Sequence, residues 1–172
     1  MSLRQFTIAQ AKGTLTFIRE FDESFPISFR RFDQLMIDEK LTPEDVGETT
    51  ASIAALRRTV LIKEIREMVR RERAAPGSGN PYFDHVGDRL RTTALTPKDI
   101  GESPVSLAEL RKARFVGCAR RTAMYIRANP NNPCPYTAED VRKILRDGGA
   151  TLEDNSEDNS DATNYDLRSE NW

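Results

Sequence analysis

Cysteine, histidine and glycine are scarce in this chain of 172 residues: two cysteines, one histidine and nine glycines. Two cysteines cannot build a disulfide framework, and with one histidine any zinc site would need carboxylates, so neither is expected to organise the fold. No apolar run approaches the roughly 20 residues of a membrane span, and the opening MSLRQFTIAQAKG has no continuous apolar stretch of a secretory signal. A soluble, intracellular and cytoplasmic protein is expected, with no membrane partner. Enzyme signatures are missing too. The Gly77-Ser78-Gly79 run lacks the Gly-Lys-Ser/Thr ending of a phosphate-binding loop and does not open a helix. Carboxylate pairs among 27 acids arise by chance and cannot be named general acid and base without a fold to place them. His85 reads as a surface or packing histidine, Cys118 as a small core residue, and Cys134 as a loop thiol with nothing nearby to lower its pKa. No catalytic residue, metal, cofactor or small-molecule substrate is expected.

What is present is charge, at 31% of residues against 38% apolar ones, a balance that leans helical. The length suits one ordinary domain or two small ones. Net charge is −1, but residues 150–172 hold seven acids against Arg168 alone, which leaves the preceding body at +5. Of the 26 basic residues, 20 are arginine, whose planar fork suits phosphate or carboxylate.

A shift of 54 positions superposes LTPEDVGETTASIAALRR (Leu41 to Arg58) on LTPKDIGESPVSLAELRK (Leu95 to Lys112), with ten of 18 positions identical. Each copy carries the same helix start: Thr42 or Thr96 as N-cap, proline next, Asp45 or Asp99 in the first turn, and Leu41 with Val46, or Leu95 with Ile100, as a hydrophobic staple. Ser52 and Ser106 are placed to open a longer helix, Ser106 with Glu109 as a capping box and Val105 stapling Leu110. Ser28 is placed to cap the first helix of copy one, with Ile27 against Phe32. Tyr136 to Gly149 reads as a shortened echo of the Thr-Pro-x-Asp start, with Thr137 capping and Gly148 in a left-handed turn. With no strand-length alternation, the expectation is all-α. The chain divides as an N-terminal helix in 1–26, weakened at Gly13, three-helix repeats at 27–74 and 81–128, a linker at 75–80, a partial repeat or cap helix at 129–149 and an acidic, flexible tail at 150–172.

On the long helix of copy one, Leu61, Ile62, Ile65, Met68 and Val69 fall within about 120°, and Lys63, Arg66, Arg70 and Arg73 within about 80° on the other side. The basic residues recur every ~4.5–6 Å along the axis, near the spacing of successive phosphates. Arg57, Arg66 and Arg73 return as Arg111, Arg120 and Arg127; Arg114 and Arg121 have no acidic neighbour three or four residues away. The expected function is therefore nucleic-acid binding, RNA more than DNA, through Arg66, Arg70, Arg73, Arg114, Arg120, Arg121 and Arg127, in a nucleocapsid-like or RNA-sequestering role. Recurrence has a second explanation, salt bridges to acids such as Glu48 and Glu102. With it goes the alternative function, a helical protein-interaction or self-assembly module and homo-oligomer whose tail docks through Tyr165, Leu167 and Trp172.

Overall fold

Six α-helices and no strand make up the described residues, 2–20, 26–129 and 135–151, of the computed structural model. The helices are α1 (Leu3–Glu20), α2 (Pro26–Asp38), α3 (Thr50–Ala74), α4 (His85–Thr93), α5 (Pro104–Ala128) and α6 (Ala138–Asp147); 3₁₀ turns lie at Pro43–Val46 and Pro97–Ile100. The all-α class is as the sequence predicts.

Local chemistry explains the 3₁₀ turns. The N–H groups of Thr42 and Thr96 donate to the carboxylates of Asp45 and Asp99, each at 2.8 Å, and proline follows where no N–H is needed. Both turns stop at a glycine, Gly47 and Gly101, at φ +79°, where a Cβ would cost roughly 1–2 kcal/mol. Val46 and Ile100 are buried, as are Leu41 and Leu95 before them.

The long helices start three residues earlier than Ser52 and Ser106 suggest. Thr49 and Ser103 are the N-caps, accepting from the N–H of Ser52 and Ser106 at 3.0 Å, while those serine hydroxyls accept the cap N–H in return at 2.9 Å. The serines are fixed there because they also donate to Glu48 and Glu102 at 2.6 Å. Val105 is consequently 67% exposed and staples nothing. α1 runs unbroken through Gly13, which faces open space, so the glycine costs only about 1 kcal/mol of helix propensity. α2 begins at Pro26, which puts Ser28 inside its first turn rather than at its cap; the side chains of residues 26–28, and Phe21, lie outside the described residues. At α6, Thr137 and Asp140 form the expected capping box, but the left-handed residue is Gly149 (φ +65°), not Gly148 (φ −83°).

Three apolar clusters hold these elements together, and each long helix serves two of them. Ile53 in the first half of α3 packs with Ala11 and Leu15 of α1 and Phe29 and Phe32 of α2. Ile65 and Val69 in its second half pack with Val86 and Leu90 of α4, Ile100, and Leu110 of α5. Val116, Ala119 and Ala123 of α5 pack with Val141 and Leu145 of α6 and with Ala150. The buried positions Ala11, Ile65 and Ala119 are spaced by 54 residues, as are Leu15, Val69 and Ala123. α1 thus stands toward α2 as the second half of α3 stands toward α4, and α5 toward α6. α6 therefore corresponds in place to α2 and α4, with Val141, Leu145 and Ala150 buried as are Val86, Leu90 and Leu95; it is not an echo of the 3₁₀ turn.

The segment expected as a linker, 75–80, is exposed except at Gly77, where it touches α5. Gly77, at φ +81°, is buried where a Cβ would collide with the backbone of Gly117 and Cys118, and a Cβ on Gly117 would meet the Pro76 carbonyl. Two glycines facing each other let this loop lie directly on α5.

Candidate functional site

Two pairs of arginines with the 54-residue spacing, Arg4 with Arg58 and Arg19 with Arg73, meet carboxylates that follow in the chain, whereas Arg57 pairs with Asp33 of α2. Arg4 of α1 pairs with Asp45 at 3.1 Å, and Arg58 of α3 with Asp99 at 2.8 Å. Arg19 pairs with Glu48 at 2.5 Å, and Arg73 with Glu102 at 2.6 Å. Each pair fastens a 3₁₀ turn to the helix it crosses, an arrangement we call a clasp. Arg66 adds to the second clasp by donating to the carbonyls of Ile100 (3.1 Å) and Asp99 (3.4 Å), groups at a turn end that have no partner within the turn. The glutamates are the half-buried members, with side chains 12% (Glu48) and 11% (Glu102) exposed. The Ser52 hydroxyl and then Arg19 hold Glu48 below the usual carboxylate range; Arg73 and then Ser106 do so for Glu102. Asp45 and Asp99 are lowered chiefly by the threonine N–H groups they accept.

Other members of the predicted nucleic-acid face are engaged as well. Arg70 and Arg71 both hold Glu67, at 2.6 and 2.8 Å, which lowers that carboxyl to about 2 and raises Arg70. Arg121 donates to the Gly79 carbonyl at 3.3 Å. Arg120 and Arg127 are half-buried on α5 and each makes an interaction.

Arg114 corrects the sequence reading. It is 5% exposed and donates to Glu72 of α3 and to the Phe83 carbonyl, with Asp84 at 3.6 Å. A test confined to acids three or four residues away is blind to partners on other elements, so the residue that looked unpaired is the most enclosed cation among the described residues. It welds α3, α5 and the start of α4, and presents nothing to an external phosphate. His85 opens α4 at the surface, its ring stacked on Phe83 at 5.8 Å, and Cys118 is a half-buried free thiol. Cys134, Tyr165, Leu167 and Trp172 lie outside the described residues.

Sequence reasoning missed a groove of about 380 Å³ between α2 and α3 that reaches α4. Phe29, Val60 and Leu61 line it, and Ile37 at its edge is 70% exposed. Arg30, Arg57 and Arg89 stand around it; Arg57 is held by Asp33 and lies over the Phe29 ring at 4.9 Å, and Arg89 is held by Glu64 at 2.7 Å. The only signal in the sequence was Ile37, an apolar residue one position from the end of α2. Among the described residues, no group of three His, Cys, Asp or Glu side chains is placed to hold a metal, and no helix is long and apolar enough to cross a membrane. Comparison with protein-family models, with curated proteins and with solved structures returned no match.

Proposed function

We propose that the chain is a short array of helical repeats acting as a protein-interaction and self-assembly module, with the α2–α3 groove as its docking surface. The clasps carry this reading. Recurrence of Arg57, Arg66 and Arg73 as Arg111, Arg120 and Arg127 was the reason to expect an anionic ligand; Arg73 meets Glu102, and Arg4, Arg19 and Arg58, which share the 54-residue spacing, meet Asp45, Glu48 and Asp99. Their spacing is accounted for by holding successive units together, so the weight passes from nucleic acid to protein partners. A helical array buries its faces between neighbours and offers grooves along its side, and this groove combines an apolar floor with a rim where exposed Arg30 stands beside the Arg57–Asp33 and Arg89–Glu64 pairs.

That combination suits a segment led by a large apolar side chain, with an accompanying acid facing Arg30. Residues 150–172 supply one, with Tyr165, Leu167 and Trp172 set among seven acids. The occupant proposed is this tail from a second copy. Light-scattering mass of the full chain across concentration tests the reading. A concentration-dependent dimer that Ile37→Asp and Trp172→Ala each weaken by about tenfold or more, equivalent to ~1.4 kcal/mol, is the expected result. A monomer at every concentration, or a dimer indifferent to both substitutions, overturns it. RNA binding whose salt slope falls on Arg66→Glu would restore the nucleic-acid reading.

A further inference from the structure

One face of α1 differs from the equivalent faces of α3 and α5. Leu3, Phe6, Gln10, Gly13 and Phe17 are spaced by three, four, three and four residues and fall within about 80° of one another, about 120° round the helix from buried Thr7, Ala11 and Leu15. The positions 54 residues on are Arg57, Val60, Glu64, Glu67 and Arg71 of α3, four of them charged. A further 54 residues on they are Arg111, Arg114, Cys118, Arg121 and Tyr125 of α5, three of them charged. On α1 none is charged, although the clasp residues Arg4 and Arg19 beside them are kept.

In α3 and α5 this face receives what precedes it in the chain: Arg57 takes Asp33 of α2, Arg114 the Phe83 carbonyl and Arg121 the Gly79 carbonyl. On α1 it is open. Leu3 is 72% and Phe6 52% exposed, and a Cβ on Gly13 would meet nothing within 4 Å. Phe17, 42% exposed, makes an interaction within the chain and stands at the far end of the stripe. Single exposed apolar side chains are ordinary, but a row of them along one helix marks a contact surface.

We infer that this face binds a second copy of the chain, α1 against α1 in antiparallel pairing about a two-fold axis beside Gln10. The stripe is complementary to itself when reversed. With Gln10 next to Gln10 of the second copy, Phe6 lies over Gly13 of that copy and Leu3 beside its Phe17, so a ring meets a vacant position in each half and the two amides meet each other. Gly13 leaves room for the ring and lets the helices approach closely. Two like surfaces repel when charged, and this stripe has no charge: Lys12 lies about 140° away, and Arg4 and Arg19 are held by Asp45 and Glu48. The far end of the array fits this face less well. Glu139, Arg142, Lys143 and Arg146 of α6 are exposed, and setting them on Leu3 and Phe6 would desolvate ions against an apolar surface. A helix of 18 residues is about 27 Å long, and one pair of that length buries less than the roughly 1,200 Å² of a stable interface, so the dimer is weak and forms as concentration rises. This interface is separate from the α2–α3 groove and involves neither Ile37 nor Trp172.

Sedimentation equilibrium of the full chain carrying Ile37→Asp, which disables the groove, tests it at concentrations up to about 1 mM. A dimer and nothing larger is expected, and Phe6→Asp and Gly13→Gln are each expected to weaken it about tenfold or more. Gly13→Gln separates association from folding: glutamine in open space raises helix propensity, so the melting temperature holds or rises while the dimer weakens. With Gln10→Cys, a bifunctional thiol reagent spanning about 8–10 Å, the separation of packed helix axes, is expected to join two copies above the background of the chain's own two cysteines. With Leu3→Cys it is not, because antiparallel pairing places those two positions about 21 Å apart along the axis. A dimer left unmoved by either substitution, or crosslinking that fails at residue 10 or succeeds at residue 3, overturns the inference. Oligomers beyond a dimer that Phe6→Asp dissolves also overturn it, because the face would then meet another part of the second copy. If the Ile37→Asp chain is a monomer throughout while the unsubstituted chain dimerises, the groove reading stands and this one falls.

Discussion

Replacing Arg114 separates a structural cation from a ligand-binding one. Its side chain is 7% exposed and that of its partner Glu72 is 16% exposed, while Asp84 is open enough to contribute little. Arg114→Met retains the aliphatic bulk but strands the Glu72 carboxylate and the Phe83 carbonyl. Breaking a buried pair costs roughly 3–5 kcal/mol, and Glu72's partial contact with water favours the lower end, about 3 kcal/mol. For a chain of this size each kcal/mol moves the melting temperature by about 2–4 °C, so a fall of about 6–12 °C is expected by calorimetry. The double variant Arg114→Met/Glu72→Met removes both charges together and is expected to recover much of the loss. If Arg114→Met moves the melting temperature by less than about 2 °C, or the double variant melts no higher than the single, the guanidinium does not join these elements.

Acid is expected to loosen the clasps. Folding lowers Asp45, Glu48, Asp99 and Glu102 below their ordinary values of 3.8 and 4.5 and takes Glu67 to about 2, so the unfolded chain binds more protons than the folded one as pH falls. The resulting stability is present above about pH 4.5 and is lost toward about pH 2, so the urea midpoint should drop on going from about pH 6 to about pH 3; a midpoint that holds or rises contradicts these pairings. Gly77→Ala forces a Cβ into the α5 backbone at a left-handed φ and is expected to cost at least ~2 kcal/mol, whereas Gly13→Ala in open space is expected to stabilise α1 by about 0.5–1 kcal/mol. Denaturant titration of the two variants reads both, and equal effects would mean that Gly77 is not in contact with Gly117.

Local signals were the legible ones. Thr-Pro-x-Asp ahead of an apolar residue marks a turn start through bonds made within four residues, and Thr42–Asp45 and Thr96–Asp99 form accordingly. The starts of α3 and α5 were misplaced because two serines three residues apart offer alternative caps. The choice was made by Glu48 and Glu102, whose contacts with Arg19 and Arg73 depend on tertiary placement. The kinship of α1 with the second halves of α3 and α5 rests on few identities, Arg4 with Arg58, Ile8 with Ile62, and Arg19 with Arg73 and Arg127, too sparse to notice before the burial pattern aligns them. Salt bridges to Glu48 and Glu102 were legible as a second explanation of the recurrence, while the partners at Asp45 and Asp99 were not. Beyond the apolar Ile37 near the end of α2, the groove was not legible, because its walls come from α2, α3 and α4 and its floor residues look like ordinary core.

The most direct measurement is a stability cycle on Arg73 and Glu102, since the account makes recurrent arginines the fastening between successive units. With Glu102 only 11% exposed and shared with Ser106, the pair is expected to lie at the upper end for partly exposed ion pairs. Arg73→Ala and Glu102→Ala should each destabilise, and the double variant should fall short of their sum by about 1 kcal/mol. Singles that add without coupling, while Arg73→Ala weakens RNA binding and leaves stability unchanged, would contradict the account and return these arginines to the role of phosphate ligands.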